Sequence, residues 1–179
     1  YSVSPNLPDG LTIDAVTGII SGTPTAVTAT SIYTVTASNS GGNISFDISI
    51  TVNDVAPNSL VYTSPNTFTV GSTITNLNPS VTGNVVSYSV SPSLPTGLNL
   101  NTSTGVISGT PTAVTATSIY TVTASNSGGN ISFDISITVN DVAPSSLVYT
   151  SPNIFTVDEA IVPLAPTASG NVVLFSVSP

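Results

Sequence analysis

The clearest pattern along the chain is strict alternation. From Ile131 to Val139, apolar Ile131, Phe133, Ile135, Ile137 and Val139 alternate with Ser132, Asp134, Ser136 and Thr138. Successive side chains of a strand point to opposite faces, so this run predicts a long strand with one side on a core. The same rule turns Tyr120, Val122 and Ala124 inward on a strand from Ile119 to Ala124, and sets Val86, Tyr88 and Val90 on one face of another. Shorter apolar pieces occur at Leu60–Tyr62, Phe68–Val70, Leu98–Leu100 and Val106–Ile107, with a further segment around Ile74 and Leu77 closed by Pro79. Ser127-Gly128-Gly129 predicts a tight connection between the two long strands. About seven short strands separated by turn signals predict an all-β sandwich.

Internal repetition decides how these strands are grouped. Tyr1-Ser-Val-Ser-Pro returns at Tyr88 and, with Phe for Tyr, at Phe175, a spacing of 87 residues each time. Residues 20–57 and 107–144 are identical throughout. Differences collect in Asn6–Ile19 against Ser93–Val106, and in Thr67–Tyr88 against Ile154–Phe175. Asn53-Asp54-Val55-Ala56-Pro57 and its copy Asn140–Pro144 end the alternation with polar residues and a proline, which predicts a linker. Cut there, residues 1–57 are the back part of one repeat, 58–144 a complete repeat and 145–179 the front part of the next. With no initiator Met and no leader-like start, the sequence is expected to be an excerpt of a longer one.

Composition narrows the chemistry. The 179 residues include eight acidic side chains and no Lys, Arg, His, Cys or Trp. The net charge is −8, yet only 4% of residues are charged and the mean hydropathy is +0.42, so a core can form. Without Lys or Arg nothing neutralises phosphates, and neither nucleic acid nor an anionic membrane is an expected partner. Without Cys and His there is no thiolate nucleophile, imidazole base or ordinary zinc site. Lysine isopeptide and Thr–Gln ester cross-links are excluded too, because Lys and Gln are absent. No stretch approaches the roughly 18 apolar residues of a membrane span, so direct membrane insertion is not expected.

One motif points to a family. Leu7-Pro8-Asp9-Gly10-Leu11, followed by Ile13-Asp14-Ala15-Val16-Thr17-Gly18-Ile19-Ile20-Ser21-Gly22-Thr23-Pro24-Thr25, resembles the signature of "Putative Ig" or dystroglycan-type cadherin-like repeats. Tyr33-Thr34-Val35-Thr36-Ala37-Ser38-Asn39 matches the strand with which that signature continues. The resemblance recurs once per repeat. It implies tandem immunoglobulin- or cadherin-like β-sandwich domains, used in long arrays by giant bacterial surface adhesins. The wording is most similar to Bacteroidetes adhesins, including those of gliding motility, with spirochaete surface proteins second.

Candidate sites are few. Asn53 and Asp54, with their copies Asn140 and Asp141, resemble the cadherin linker in which Asn and Asp help to bind calcium. Calcium wants six to eight oxygens, usually with several carboxylates. The complete repeat offers only Asp134 and Asp141, and Asp14, at a cadherin-like position, becomes Asn101 in the next copy. A polar turn closed by proline is the competing reading and is favoured, so no cofactor is expected and calcium stands as the alternative. The six Tyr and five Phe recur in register and are expected in the core. Tyr33 and Tyr120 are candidate tyrosine corners, with the hydroxyl bonded to nearby backbone. Asp158-Glu159 is the only adjacent acidic pair, and neighbours on a strand face opposite ways, so glycoside hydrolysis is not expected.

No enzyme is therefore expected. The resemblance implies an extracellular protein of the bacterial cell surface, here a stalk segment that spaces an adhesive tip from the cell. Its partners would be neighbouring repeats and other surface or filament proteins. Two alternatives remain. One is an adhesive module recognising glycan or protein through the variable Leu-Pro-x-Gly-Leu loop, at Asn6–Val16 and Ser93–Ser103. The other is a self-assembling filament subunit, in which one chain's back part completes a neighbour's front part.

Overall fold

The computed structural model describes residues 1–178. Pro179, which ends the expected 145–179 segment, lies outside the described residues. No helix among them is long and apolar enough to cross a membrane. The first repeat carries β1 (Ser2–Ser4), β2 (Leu11–Ile13), β3 (Ile20–Gly22), β4 (Thr28–Asn39) and β5 (Gly42–Val52). The middle repeat carries β6 (Asn58–Val61), β7 (Asn66–Thr69), β8 (Ser80–Thr82), β9 (Ser87–Ser91), β10 (Leu98–Leu100), β11 (Ile107–Gly109), β12 (Thr115–Asn126) and β13 (Gly129–Asn140). The last segment adds β14 (Ser145–Val148) and β15 (Thr167–Ser169).

The chain forms two compact units. The first comprises 1–61, 80–88 and 123–132; among the described residues the second comprises 62–79, 89–122 and 133–178. In the first, β1, β4 and β5 form an antiparallel sheet, with Val3 opposite Val35 and Tyr33 opposite Ile48. The ribbons β2–β3 and β6–β8 lie in the same unit. In the second, β10 pairs with β11, and β14 with β15. There β7 also runs parallel to β13, from Ile137 opposite Asn66 to Asn140 opposite Thr69. The middle repeat's four-stranded sheet has the order β7-β13-β12-β9.

The alternating pattern reads correctly into the core. Val122, Ala124, Ile135, Ile137 and Val139 are all 0% exposed, and Tyr88 and Tyr120 are buried. Each Val or Ile side chain buried in this way contributes about 1.5–3 kcal/mol. Val86 is a correction: it is exposed rather than sharing a face with Tyr88 and Val90. The strand starts one residue later, at Ser87, and the Val86 N–H bonds to the Ser125 carbonyl at 2.9 Å. Strand β8 was not signalled, since Ser80-Val81-Thr82 holds a single apolar residue; it forms where β6 offers an edge, with Asn58 opposite Thr82. The segment around Ile74 and Leu77 is not a strand, although Leu77 makes an isolated bridge with Ile107.

The outward faces are laced with hydroxyls. Thr117 meets Thr138 at 2.8 Å, Thr121 donates to Asp134 Oδ1 at 2.7 Å, and Thr123 meets Ser132 at 2.8 Å. Thr30–Thr51, Thr34–Asp47 and Thr36–Ser45 repeat the set in the first repeat. Such cross-strand pairs contribute roughly 0.2–1 kcal/mol each and take the place of ion pairs that a chain without Lys or Arg cannot form.

Candidate functional site

The feature that the sequence marks most strongly is the linker, and the structure gives it a seat. Alternation stops after Val52, and Asn53–Pro57 carry no regular structure. The Asp54 N–H donates to Ser127 Oγ at 2.9 Å. Its carboxylate is divided between two amide donors: Oδ1 accepts the Val55 N–H at 2.8 Å, and Oδ2 accepts Asn84 Nδ2 at 2.6 Å. Hydrogen bonds to an ionised acceptor are the stronger kind.

Asn126 is the centre of the seat. Its Nδ2 donates to the Val55 carbonyl at 2.7 Å and to the Asn84 carbonyl at 2.8 Å. Its Oδ1 accepts the N–H groups of Gly128 at 2.8 Å and Gly129 at 3.2 Å. One side chain thus shapes the β12–β13 turn and clamps the linker with its remaining donors. Gly128 is required by close approach: a Cβ there would lie 1.9 Å from the Asp54 carbonyl oxygen and 2.8 Å from the Ala56 nitrogen. The cleft beside this joint, about 480 Å³ and also lined by Val27 and Val86, contains one carboxylate and no aromatic or cationic group.

The matching residues of the other repeats make part of the same set of bonds. In the first repeat, Asn39 Oδ1 accepts the Gly41 N–H at 2.8 Å, but a Cβ on Gly42 would meet nothing within 4 Å. At the second linker, Asp141 Oδ1 accepts the Val142 N–H at 2.8 Å and Oδ2 accepts Asn171 Nδ2 at 3.1 Å, repeating Asp54, Val55 and Asn84.

Of the candidate calcium ligands, Asp54 and Asp141 therefore hold amides, one carboxylate per junction. Asn53 is exposed and precedes the network, and Asn140 belongs to the ladder of β13, accepting the Val70 N–H on its carbonyl at 3.0 Å. No group of three or more His, Cys, Asp or Glu able to hold a metal occurs among the described residues. Asn84 and Asn126 escaped the sequence reading, and Ser127 and Gly128 were read there only as a tight connection between strands. The available signals were the survival of Gly83-Asn84 as Gly170-Asn171 within a variable stretch, and a turn with one glycine more than it needs.

The other candidates resolve into structure. Asp14 Oδ1 accepts the N–H groups of Val16 at 2.8 Å and Thr17 at 2.7 Å, and Asn101 Oδ1 does the same for Ser103 and Thr104 at 3.0 Å. The backbone bonds from Thr17 and then Val16 hold the Asp14 carboxyl below its ordinary value. In the Leu-Pro-x-Gly-Leu loop, Pro95 and Leu98 are buried, and Gly97 has φ 94° with the Thr110 carbonyl 2.0 Å from where a Cβ would stand. Pro95, Gly97 and Leu98 thus pin a turn, while Ser93, Thr96 and residues 101–104 are exposed. Among the described residues, the tyrosine bonded to backbone is Tyr62, which donates to the Gly105 carbonyl at 2.6 Å, instead of Tyr33 or Tyr120. The aromatics are only partly in the core: Tyr33, Tyr62, Tyr88 and Tyr120 are buried, whereas Phe46, Tyr149, Phe155 and Phe175 are exposed at matching positions of the partial repeats. Asp158 takes the positive-φ turn position of Gly71, with φ 65° against 77°.

A family-model match agrees with this architecture. The family model described as Putative Ig domain matches residues 1–53 and again 49–140. No curated protein matches the chain. Similar solved structures include Drosophila OTK extracellular domains 3-5, at 20% identity over 75% of this chain and 47% of that one, with a TM-score of 0.44. Sidekick-1 immunoglobulin domains 1-5 match at 19% identity over 75% of this chain and 30% of that one, with a TM-score of 0.40. An endo-fucoidan hydrolase from glycoside hydrolase family 107 matches at 22% identity over 79% of this chain and 24% of that one, with a TM-score of 0.36. This chain spans less than half the length of each. An all-β fold, an 87-residue repetition and two successive family matches make this a tandem array of immunoglobulin-like domains, and the chain belongs to the Putative Ig domain family.

Proposed function

We propose that the chain is a structural segment of an extracellular stalk on a bacterial cell surface, part of a giant adhesin of the Bacteroidetes type, gliding adhesins included. Its folding unit is Asn58–Pro144, with the linkers as joints between units. It binds no cofactor and catalyses no reaction; its partners are the neighbouring repeats of its own chain.

The observation that carries this reading is the seated linker. Asp54, Val55 and Ala56 are fixed by Asn84, Asn126, Ser127 and Gly128, so the connection has little freedom to bend. A stalk needs stiff joints repeated at a fixed interval, whereas a binding module needs an exposed surface that differs from copy to copy. In the middle repeat's variable loop Pro95 and Leu98 are buried and hold the turn, which supports the stalk.

Small-angle scattering on chains of increasing repeat number tests the proposal. A twelve-residue strand such as β12 spans roughly 40 Å at ~3.3 Å per residue, so each repeat is expected to lengthen the particle by about that amount. Growth well below ~30 Å per repeat, less than a ten-residue strand spans, would show flexible beads instead of a rod.

A further inference from the structure

The complete repeat carries an open cleft that spacing and stiffness leave unused. Strand β7 forms one wall and Ser72–Leu77 the other, enclosing about 490 Å³. That volume falls within the ~300–1,000 Å³ usual for small-molecule clefts. Both walls are anchored. Strand β7 lies along β13, while the Gly71 N–H donates to the Pro111 carbonyl at 2.9 Å and the Ile74 N–H to the Gly109 carbonyl at 3.0 Å. Leu77 and Ile107 exchange backbone bonds at 2.9 and 3.0 Å. Ile74 and Leu77 are buried and Phe68 half-buried, which makes an apolar floor. A cleft with fixed walls costs little ordering when it is filled.

The rim uses its polar groups differently from the rest of the repeat. On the outward face of β12 and β13 the hydroxyls bond across the strands. Among the described residues, the exposed side chains of Thr67, Ser72, Thr75 and Asn76 have no protein partner, and each can both donate and accept. No ionisable group lines the cleft. Floor and rim also differ between copies. The next repeat keeps the floor as Phe155, Ile161 and Leu164, but carries Ile154, Glu159, Val162 and Pro163 in place of Thr67, Ser72, Thr75 and Asn76. Exposure alone does not account for this, since the exposed residues Thr63, Ser64 and Pro65 just before it are unchanged.

We propose that this cleft binds neutral saccharides, a function added to the stalk role and separate from the contacts between neighbouring repeats. Sugar hydroxyls match the donors and acceptors of the rim, and Phe68 contributes apolar surface for the C–H side of a pyranose ring. Uronate- and sulfate-bearing glycans are disfavoured by a net charge of −8 with no Lys or Arg to offset it. The changed rim of the next copy gives it a different preference, so the array presents sites that are not alike.

A glycan array carrying neutral gluco-, galacto-, manno- and N-acetylglucosamine oligosaccharides beside uronate- and sulfate-bearing ones, followed by NMR titration of the oligosaccharides retained, tests this on the 179-residue chain. Neutral oligosaccharides are expected to bind and to shift the amides of residues 67–77. Thr67→Ile combined with Thr75→Val, the residues of the next copy, is expected to weaken binding roughly tenfold through the loss of two hydrogen bonds. Ser93→Ala and Thr102→Ala, exposed in the other variable loop, are expected to leave binding unchanged. Thermal unfolding of each variant, expected to match the parent, separates loss of binding from loss of fold. Retention of no neutral oligosaccharide, tighter binding of the acidic ones, full affinity in the double variant, or loss of affinity in the loop variants would each overturn the proposal. A stiff stalk can carry such sites or lack them, so growth of the particle with repeat number is unaffected by either outcome.

Discussion

Asn84 donates its side-chain amide to Asp54 Oδ2 at 2.6 Å across thirty residues of chain, tying the end of one repeat to the opening strands of the next. Because Oδ1 is already occupied by the Val55 N–H, removing the carboxylate strands two donors at once. Asp54→Ala is expected to lower stability by roughly 0.5–1.5 kcal/mol in urea unfolding. Asp141→Ala, where no turn is seated on the linker, is expected to cost less. Equal costs at the two positions would show that the seat contributes nothing.

Two glycines of identical sequence context provide an internal control. A methyl group on Gly128 would collide with the Asp54 carbonyl, whereas one on Gly41 would meet only its own Asn39 Oδ1, at 3.3 Å. Gly128→Ala is expected to unseat the linker at a cost of about 1–3 kcal/mol, the usual range for forced overpacking. Gly41→Ala is expected to stay within about 0.5 kcal/mol of the parent. Thermal unfolding of the two variants side by side measures the difference.

Asp14 and Asn101 make the same turn with different chemistry, and only the first depends on pH. The Asp14 carboxyl is held below its ordinary value of 3.8 by the N–H groups of Thr17 and Val16. A group with a lowered folded pKa stabilises the fold above its unfolded pKa and loses that contribution as pH falls through the folded value. The turn is therefore expected to loosen only in acid below pH 3.8, and Asp14→Asn to abolish the dependence while keeping the turn. The amide shifts of Val16 and Thr17 report it, and a midpoint above 3.8 would contradict the assignment.

Metal removal separates the joint from a cadherin-like one. With one carboxylate per junction already bonded to amides, thermal unfolding is expected to be the same in calcium and in chelator. A midpoint that climbs with calcium concentration would return Asp54 and Asp141 to a ligand role.

The sequence disclosed what is periodic and concealed what is reciprocal. Alternation located Val122, Ile135, Ile137 and Val139 in the core because burial on one face leaves a period of two. It could not locate β8, which exists through its partner's edge rather than its own side chains. The linker was legible from its proline and its break in pattern. Its seat was not, since Asn126 and Ser127 lie more than seventy residues from Asp54 and read as ordinary turn formers. Phe46 shows the same limit: its residue type indicates a core position, but the group that would cover it comes from another repeat's worth of sequence.

A joint whose plug and seat are the same in successive copies carries no record of which repeat is which. Residues 20–57 and 107–144, identical throughout, include both the turn that receives a linker and the linker that enters the next turn. Unequal recombination between such copies removes or inserts whole units and leaves every surviving joint with its correct partner. In the proposed stalk, reach would then be changed by the number of repeats alone, with no mutation needed to repair the splice.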